Sequence, residues 1–350
     1  MKKRLIALFS ICLLTLSLTA CNTASSQKAG NESAPKRQII IDTDTGADDA
    51  SALILAAKSP NVDILGVTVL VGNAPMEQAA KNALMSLEIA GCDAPVYKGA
   101  GKTTDGVERI AFSVYGDDGM GDAGLIHPAG SPKDGDAVDF ILDTIKQHPG
   151  EVEIVALGPA TNIANAIEKD PETMKNVKMI WSMGTAGLGP GNATPVAEFN
   201  AYVDALAYQI LLDSGLPVTI IGLDVCDEDA LWTNEQFTEL EKSGGEIGNF
   251  VSTSFGKLKE FYRNNSNESV MNCDGLAMMC VLMPDFVNKD IHVHGSCITD
   301  HNQETYGQVL FYQEGITYDV PIEDMNYNVN LITDVNQTDF FKNYLESIKN

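Results

Sequence analysis

The chain has 350 residues, and its 48 acidic against 23 basic side chains give a formal net charge of −25. Such a field repels polyanions, so nucleic acid is excluded as a partner and an uncharged small molecule is the easier ligand. Seven cysteines at irregular spacings in so long a chain exclude a disulfide-stapled scaffold and a zinc knuckle.

At the N-terminus, Lys2, Lys3 and Arg4 precede an apolar run from Leu5 to Leu18, which ends in Leu18-Thr19-Ala20-Cys21. That order spells a bacterial secretion signal over residues 1–20. The run is short for a membrane span of about 20 residues. The small residues before Cys21 resemble a lipobox, in which the cysteine becomes the lipid-modified first residue. Residues 21–37, rich in Ser, Ala, Asn and Lys, read as a flexible tether. The expected location is the extracytoplasmic face of a bacterial cell membrane, held through the lipid anchor only, with one domain over residues 38–350.

Within that domain, β-branched apolar runs predict strands at Gln38–Asp42, Val62–Leu70, Glu151–Leu157, Val177–Met183 and Pro217–Leu223. Between them, helical periodicity marks Asp48–Lys58, Glu77–Ala90, Ala137–His148, Thr161–Lys169 and Val203–Ser214. The alternation predicts an α/β fold, an open and mainly parallel sheet with helices on both faces. In such sheets the ligand site forms beyond the carboxyl ends of the strands.

Polar clusters fall at those ends. Directly after Ile39-Ile40-Ile41 come Asp42, Asp44, Asp48 and Asp49, four carboxylates within eight residues. Such crowding needs a cation or a strong hydrogen-bond network; the plainer reading is an acidic first turn of a helix. Val71-Gly72-Asn73 follows the second strand, and Gly158-Pro159-Ala160-Thr161-Asn162 follows Leu157. A glycine-rich loop after Met183 leads into Gly191 through Asn200. Singly, Gly72-Asn73 and Gly158-Pro159 are ordinary turn chemistry, and Asn162 could satisfy a helix start.

Together these segments resemble the nucleoside hydrolase family, the inosine-uridine preferring hydrolases that cleave the N-glycosidic bond of ribonucleosides. Asp42 through Ala50 looks like its N-terminal aspartate motif, and Asn192 through Asn200 like its ribose-binding segment. Cys273-Asp274-Gly275-Leu276-Ala277 appears in the expected order before a helix. The resemblance implies one Ca²⁺ held by Asp44, Asp49 and Asp274 and by the backbone carbonyl of Leu157, an oxygen set that suits this ion. It implies Asp44 as general base to a water activated by the metal. It implies Asp48, Asn73, Asn192, Glu198 and Asn200 around the ribose. Asp42 is read as supporting the turn. On an extended segment Glu198 and Asn200 face one side, which sends Phe199 elsewhere, into packing. A homo-oligomer is left open.

The sequence departs from the family at the leaving-group end. Two histidines that protonate the departing base in many members are replaced here by Cys273 and Tyr115, which become the leaving-group candidates. Trp232, Phe255, Phe261 and Tyr262 lie where the family closes its base pocket, although helical packing is the favoured reading for Phe255 and Tyr262. His292, His294 and His301 read as surface or structural. The missing acids leave an alternative: a catalytically weak nucleoside- or sugar-binding lipoprotein feeding a transporter. Asp42-Thr43-Asp44 also superficially matches a haloacid dehalogenase-type phosphatase, but Gly46 sits where that motif expects Thr or Val.

Overall fold

Alternation along the first strand sets the architecture. Ile39 and Ile41 face one apolar cluster and Ile40 the other, all fully buried, so the strand is covered on both faces. The computed structural model describes residues 35–319 and 325–349. The proposed signal, Cys21 and nearly all of the tether lie outside the described residues.

Among the described residues ten strands form one sheet: β1 Arg37–Thr43, β2 Val62–Val69, β3 Val96–Lys98, β4 Lys133–Asp136, β5 Val152–Ala156, β6 Met179–Met183, β7 Val218–Ile221, β8 Val287–Cys297, β9 Val309–Gln313 and β10 Val329–Val335. Their order is β4-β3-β2-β1-β5-β6-β7-β10-β8-β9. Pairing is parallel from β4 through β10 and antiparallel only at β10/β8 and β8/β9. The α/β fold read from the sequence is therefore correct.

Thirteen α-helices surround the sheet among the described residues: α1 Ala47–Lys58, α2 Met76–Ala90, α3 Phe112–Tyr115, α4 Ala137–Gln147, α5 Thr161–Lys169, α6 Pro171–Met174, α7 Phe199–Val203, α8 Ala205–Asp213, α9 Asn234–Ser243, α10 Gly245–Ser254, α11 Gly256–Asn264, α12 Cys273–Leu282 and α13 Phe340–Ile348. Residues of α1, α2, α9, α10, α12 and α13 join the Ile39 cluster, while α4, α5 and α8 join that of Ile40.

The chain leaves β1 toward β2 and returns on its other side at β5. That reversal opens a crevice at the carboxyl ends of β1 and β5, the general location of ligand sites in such sheets. Asp42 pairs with Ala156 across it, and the Leu157 N–H donates to the Asp42 carbonyl at 2.8 Å. The aspartate motif and Leu157 are thereby fixed side by side.

Candidate active site

The turn from β1 into α1 is built around its own carboxylates. Asp49 Oδ2 accepts the Gly46 N–H at 2.9 Å, closing the first turn of α1, and Asp49 Oδ1 accepts the Thr43 hydroxyl at 2.5 Å. Asn73, from the turn after β2, donates its side-chain amide to Asp49 Oδ2 at 2.8 Å and its backbone N–H to Asp44 Oδ2 at 2.6 Å. The space around Asp44 admits no side chain. A Cβ on Gly72 would lie 2.0 Å from Asp44 Oδ2, and one on Gly158 would lie 2.8 Å from Asp44 Oδ1. Both glycines are there for close approach, a stricter role than the turn chemistry read from sequence.

Asp274 arrives from far along the chain in the first turn of α12, which packs beside α1; the Ser51 hydroxyl donates to Asn272 Oδ1 at 2.8 Å across that contact. Asn272 caps α12, so Asp274 has no capping duty. One carboxylate oxygen each from Asp48, Asp49 and Asp274 lie within 4.8 Å of one another, all three residues buried. Asp44 stands outside this trio, bonded to Asn73. Burial, and next the charge of Asp49, hold the Asp44 and Asp274 carboxyls well above the usual carboxylate range. The same two causes raise Asp48 to about 7. Asp48 Oδ1 is buried without a hydrogen-bond partner. Mutually repelling buried carboxylates fit a bound cation, and an all-oxygen set fits a hard one.

Asp42 turns away from this group. Its Oδ1 accepts the Thr68 hydroxyl at 2.5 Å and the Asn162 amide at 2.8 Å, and burial brings its carboxyl to about 6. Asn162 is no helix cap: α5 begins at Thr161 after Ala160, and the Asn162 side chain ties β1 to the segment after β3 through the Ala100 N–H.

Above the carboxylates opens a partly enclosed cavity. Asp48, Asn73, Leu157, Asn192, Glu198, Asn200 and Asp274 line it, with Tyr115 and Cys273. Glu198 caps α7, its carboxylate accepting from the Asn200 N–H at 2.8 Å, the Ala201 N–H at 3.2 Å and the Thr185 N–H at 2.9 Å. Burial lifts it to about 6 against those donors. The Asn200 amide donates to the carbonyls of Leu157 at 2.7 Å and Met183 at 3.2 Å, leaving Asn200 Oδ1 as acceptor and one lone pair on Leu157. Asn192 Oδ1 accepts the Phe199 N–H at 2.9 Å, which frees the Asn192 amide as a donor.

Phe199 lines the cavity, against the expectation that it packs elsewhere. The segment is not extended throughout: α7 starts at Phe199, so strand alternation does not apply there, and Glu198, Phe199 and Asn200 all line the cavity. Phe261 and Tyr262 of α11 line it as well, so packing alone does not account for Tyr262. Trp232 and Phe255 do not reach it; they stack in the core with centroids 5.9 Å apart. Ala111, Val114, Leu258 and Met271 complete the apolar wall; as single apolar residues they carried no sequence signal.

At the leaving-group end, Cys273 shares a hydrogen bond with Cys226, and that bond, with burial, pushes its thiol well above the ordinary value. Burial, then the charge of Asp48, does the same to the Tyr115 hydroxyl. Both hold their protons tightly near neutrality, as hydrogen-bond donors.

Residues 39–342 match the family described as inosine-uridine preferring nucleoside hydrolase. The chain belongs to this nucleoside hydrolase family. It is thus an N-glycosyl hydrolase by family. Among similar nucleoside hydrolases, "Probable uridine nucleosidase 1" of Oryza sativa is 37% identical over 241 residues, covering 68% of this chain and 73% of that one. "Uridine nucleosidase 1" of Arabidopsis thaliana is 34% identical over 272 residues, covering 76% and 79%. A solved plant nucleoside hydrolase superimposes with a TM-score of 0.84 at 29% identity, covering 90% of this chain and 99% of that one. A purine-preferring ribonucleoside hydrolase from Gardnerella vaginalis gives 0.81 at 28% identity, covering 89% and 98%.

Proposed function

We propose that this nucleoside hydrolase is a Ca²⁺-dependent enzyme that splits ribonucleosides into free base and ribose on the extracytoplasmic face of a bacterial membrane, anchored through Cys21. The observation that carries the reading is the cavity's polar inventory. Asp48 Oδ1 has no partner, and the amide groups of Asn73 and Asn200 are consumed inside the protein. What remains is mostly acceptors, with the Asn192 amide as donor, and that set matches the hydroxyls of a ribose.

In this reading Asp44, Asp49, Asp274 and the Leu157 carbonyl hold Ca²⁺, which when bound lowers the pKa of water and offsets the carboxylates' repulsion. Asp44, gripped by Asn73 and walled by Gly72 and Gly158, takes the proton of the attacking water. Asp48, Asn73, Asn192, Glu198 and Asn200 hold the sugar and orient its anomeric carbon. Phe199, Phe261 and Tyr262 enclose the base, while Cys273 and Tyr115 stay protonated at that end without titrating.

The names of the two plant relatives make uridine the first substrate to try. Purified protein should release reducing sugar from uridine, and D44N should abolish the release. Equal release by D44N would overturn the role of Asp44.

A further inference from the structure

The loop between β6 and α7 contains a backbone conformation that needs an explanation. Thr185 has φ +71°, a region that a β-branched residue rarely adopts, and it is 1% exposed. Strain of this kind persists only where surrounding structure imposes it. The consequence is specific: the turned peptide aims the Thr185 N–H at Glu198 Oε2, 2.9 Å away.

What holds the turn is Asp224, just beyond the end of β7. Asp224 Oδ2 accepts the Leu188 N–H at 2.8 Å, and the Leu223 N–H donates to the Thr185 carbonyl at 2.9 Å. Asp224 Oδ1 is buried with no partner and occupies space that closes the loop around it. A Cβ on Gly187, itself at φ +63°, would lie 1.9 Å from that oxygen, and one on Gly222 would lie 2.5 Å from it. The carboxylate therefore grips the loop from within, while Thr185 Oγ1 accepts the Gly187 N–H at 3.1 Å. Asp224 does not line the cavity. Its path to the sugar end runs through Leu188, Gly187 and Thr185 to Glu198.

We propose that Asp224 is a positioning residue for the sugar end of the site, acting through the Thr185–Leu188 loop to fix the Glu198 carboxylate. The proposal rests on the reading of Glu198 as a ribose contact. Without the clamp the loop relaxes toward ordinary backbone angles, the Thr185 N–H swings away, and Glu198 loses one of its three donors. The sugar is then held less firmly while the base end is untouched.

The test uses the full-length protein in detergent, with D224A, D224S, D224N and T185G, and thermal unfolding to verify folding. D224A is expected to raise KM for uridine about 10-fold with kcat within about 3-fold. It should weaken inhibition by free D-ribose by a similar factor and leave inhibition by uracil unchanged. D224S should behave like D224A, because its hydroxyl is too short to reach Leu188, and it carries the test if D224A does not fold. D224N, whose amide oxygen still accepts the Leu188 N–H, should restore KM to within about 2-fold. T185G, which keeps the peptide N–H and relieves the strain, should do likewise.

A role in stability alone would lower the unfolding temperature without separating ribose from uracil. Folded D224A or D224S with wild-type KM and wild-type ribose inhibition overturns the positioning role, and so does D224N failing to restore them. Absence of uridine cleavage by the wild type, with D224A still weakening ribose binding, would instead overturn the nucleosidase reading alone.

Discussion

Asn73 joins Asp44 to Asp49: its backbone N–H lies 2.6 Å from the one and its side-chain amide 2.8 Å from the other. One residue thus holds both the proposed base and a proposed cation ligand, two groups that would otherwise repel each other in a buried site. Hydrogen bonds to charged groups contribute about 1.5–3 kcal/mol each. N73A keeps the backbone bond and loses the amide, together with its acceptor toward the sugar. Its kcat/KM for uridine should fall roughly 100-fold on this scale. A loss under about 3-fold would show that the carboxylates keep their geometry unaided.

The glycines flanking Asp44 give a sharper contrast. G72A puts a methyl group 2.0 Å from Asp44 Oδ2, so the carboxylate must move. The expected result is a fall in kcat of at least about 100-fold, since misplacement by about 1 Å costs that much. Gly91, at φ +73° with nothing within 4 Å of its added Cβ, is the control. G91A should cost about 1 kcal/mol of stability and leave kcat/KM unchanged. Similar kinetics for the two variants would refute the close-approach account.

Glu198 supplies a pH dependence. Its folded value of about 6 lies above the ordinary 4.5, raised by burial. Folding therefore favours the protonated form, and the stability Glu198 contributes is full below pH 4.5 and lost as pH rises through 6. Sugar binding runs the other way, because the charged form is the better acceptor. KM for uridine should rise as pH falls through about 6, and E198Q should show a high KM with that limb removed. An unchanged acid limb in E198Q would assign it to another group.

A true general acid contributes about 10²–10⁴-fold. Cys273 and Tyr115 hold their protons too tightly to titrate near neutrality. C273A and Y115F should each lower kcat by less than about 10-fold and add no basic limb to the pH profile. A loss of about 10³-fold in C273A would make the thiol the leaving-group acid after all.

The central strands were legible because Ile39-Ile40-Ile41 and its counterparts are buried on both faces and so read as continuous apolar runs. Lys133-Asp-Gly-Asp136 forms β4 while fully exposed, and β3 has three residues; neither carries a pattern to read. The antiparallel β8 and β9 also escaped: β8 alternates inward and outward from Asp290 to Cys297, but two of its inward positions, Gly295 and Cys297, carry little apolar signal. At the site, the aspartate motif and Asn192–Asn200 announced themselves by composition. Phe199 was misread because an extended segment was assumed where Glu198 starts a helix, and Asp224 was invisible because it acts through backbone groups.

The most direct test is ribose release from uridine, inosine and cytidine by the purified protein, with Ca²⁺ added or removed by a chelator. Release from at least one nucleoside in Ca²⁺ is expected, with its loss on chelation and its recovery when the ion is restored. Binding of intact nucleoside without release in Ca²⁺, or release indifferent to chelation, would contradict Ca²⁺-dependent hydrolysis.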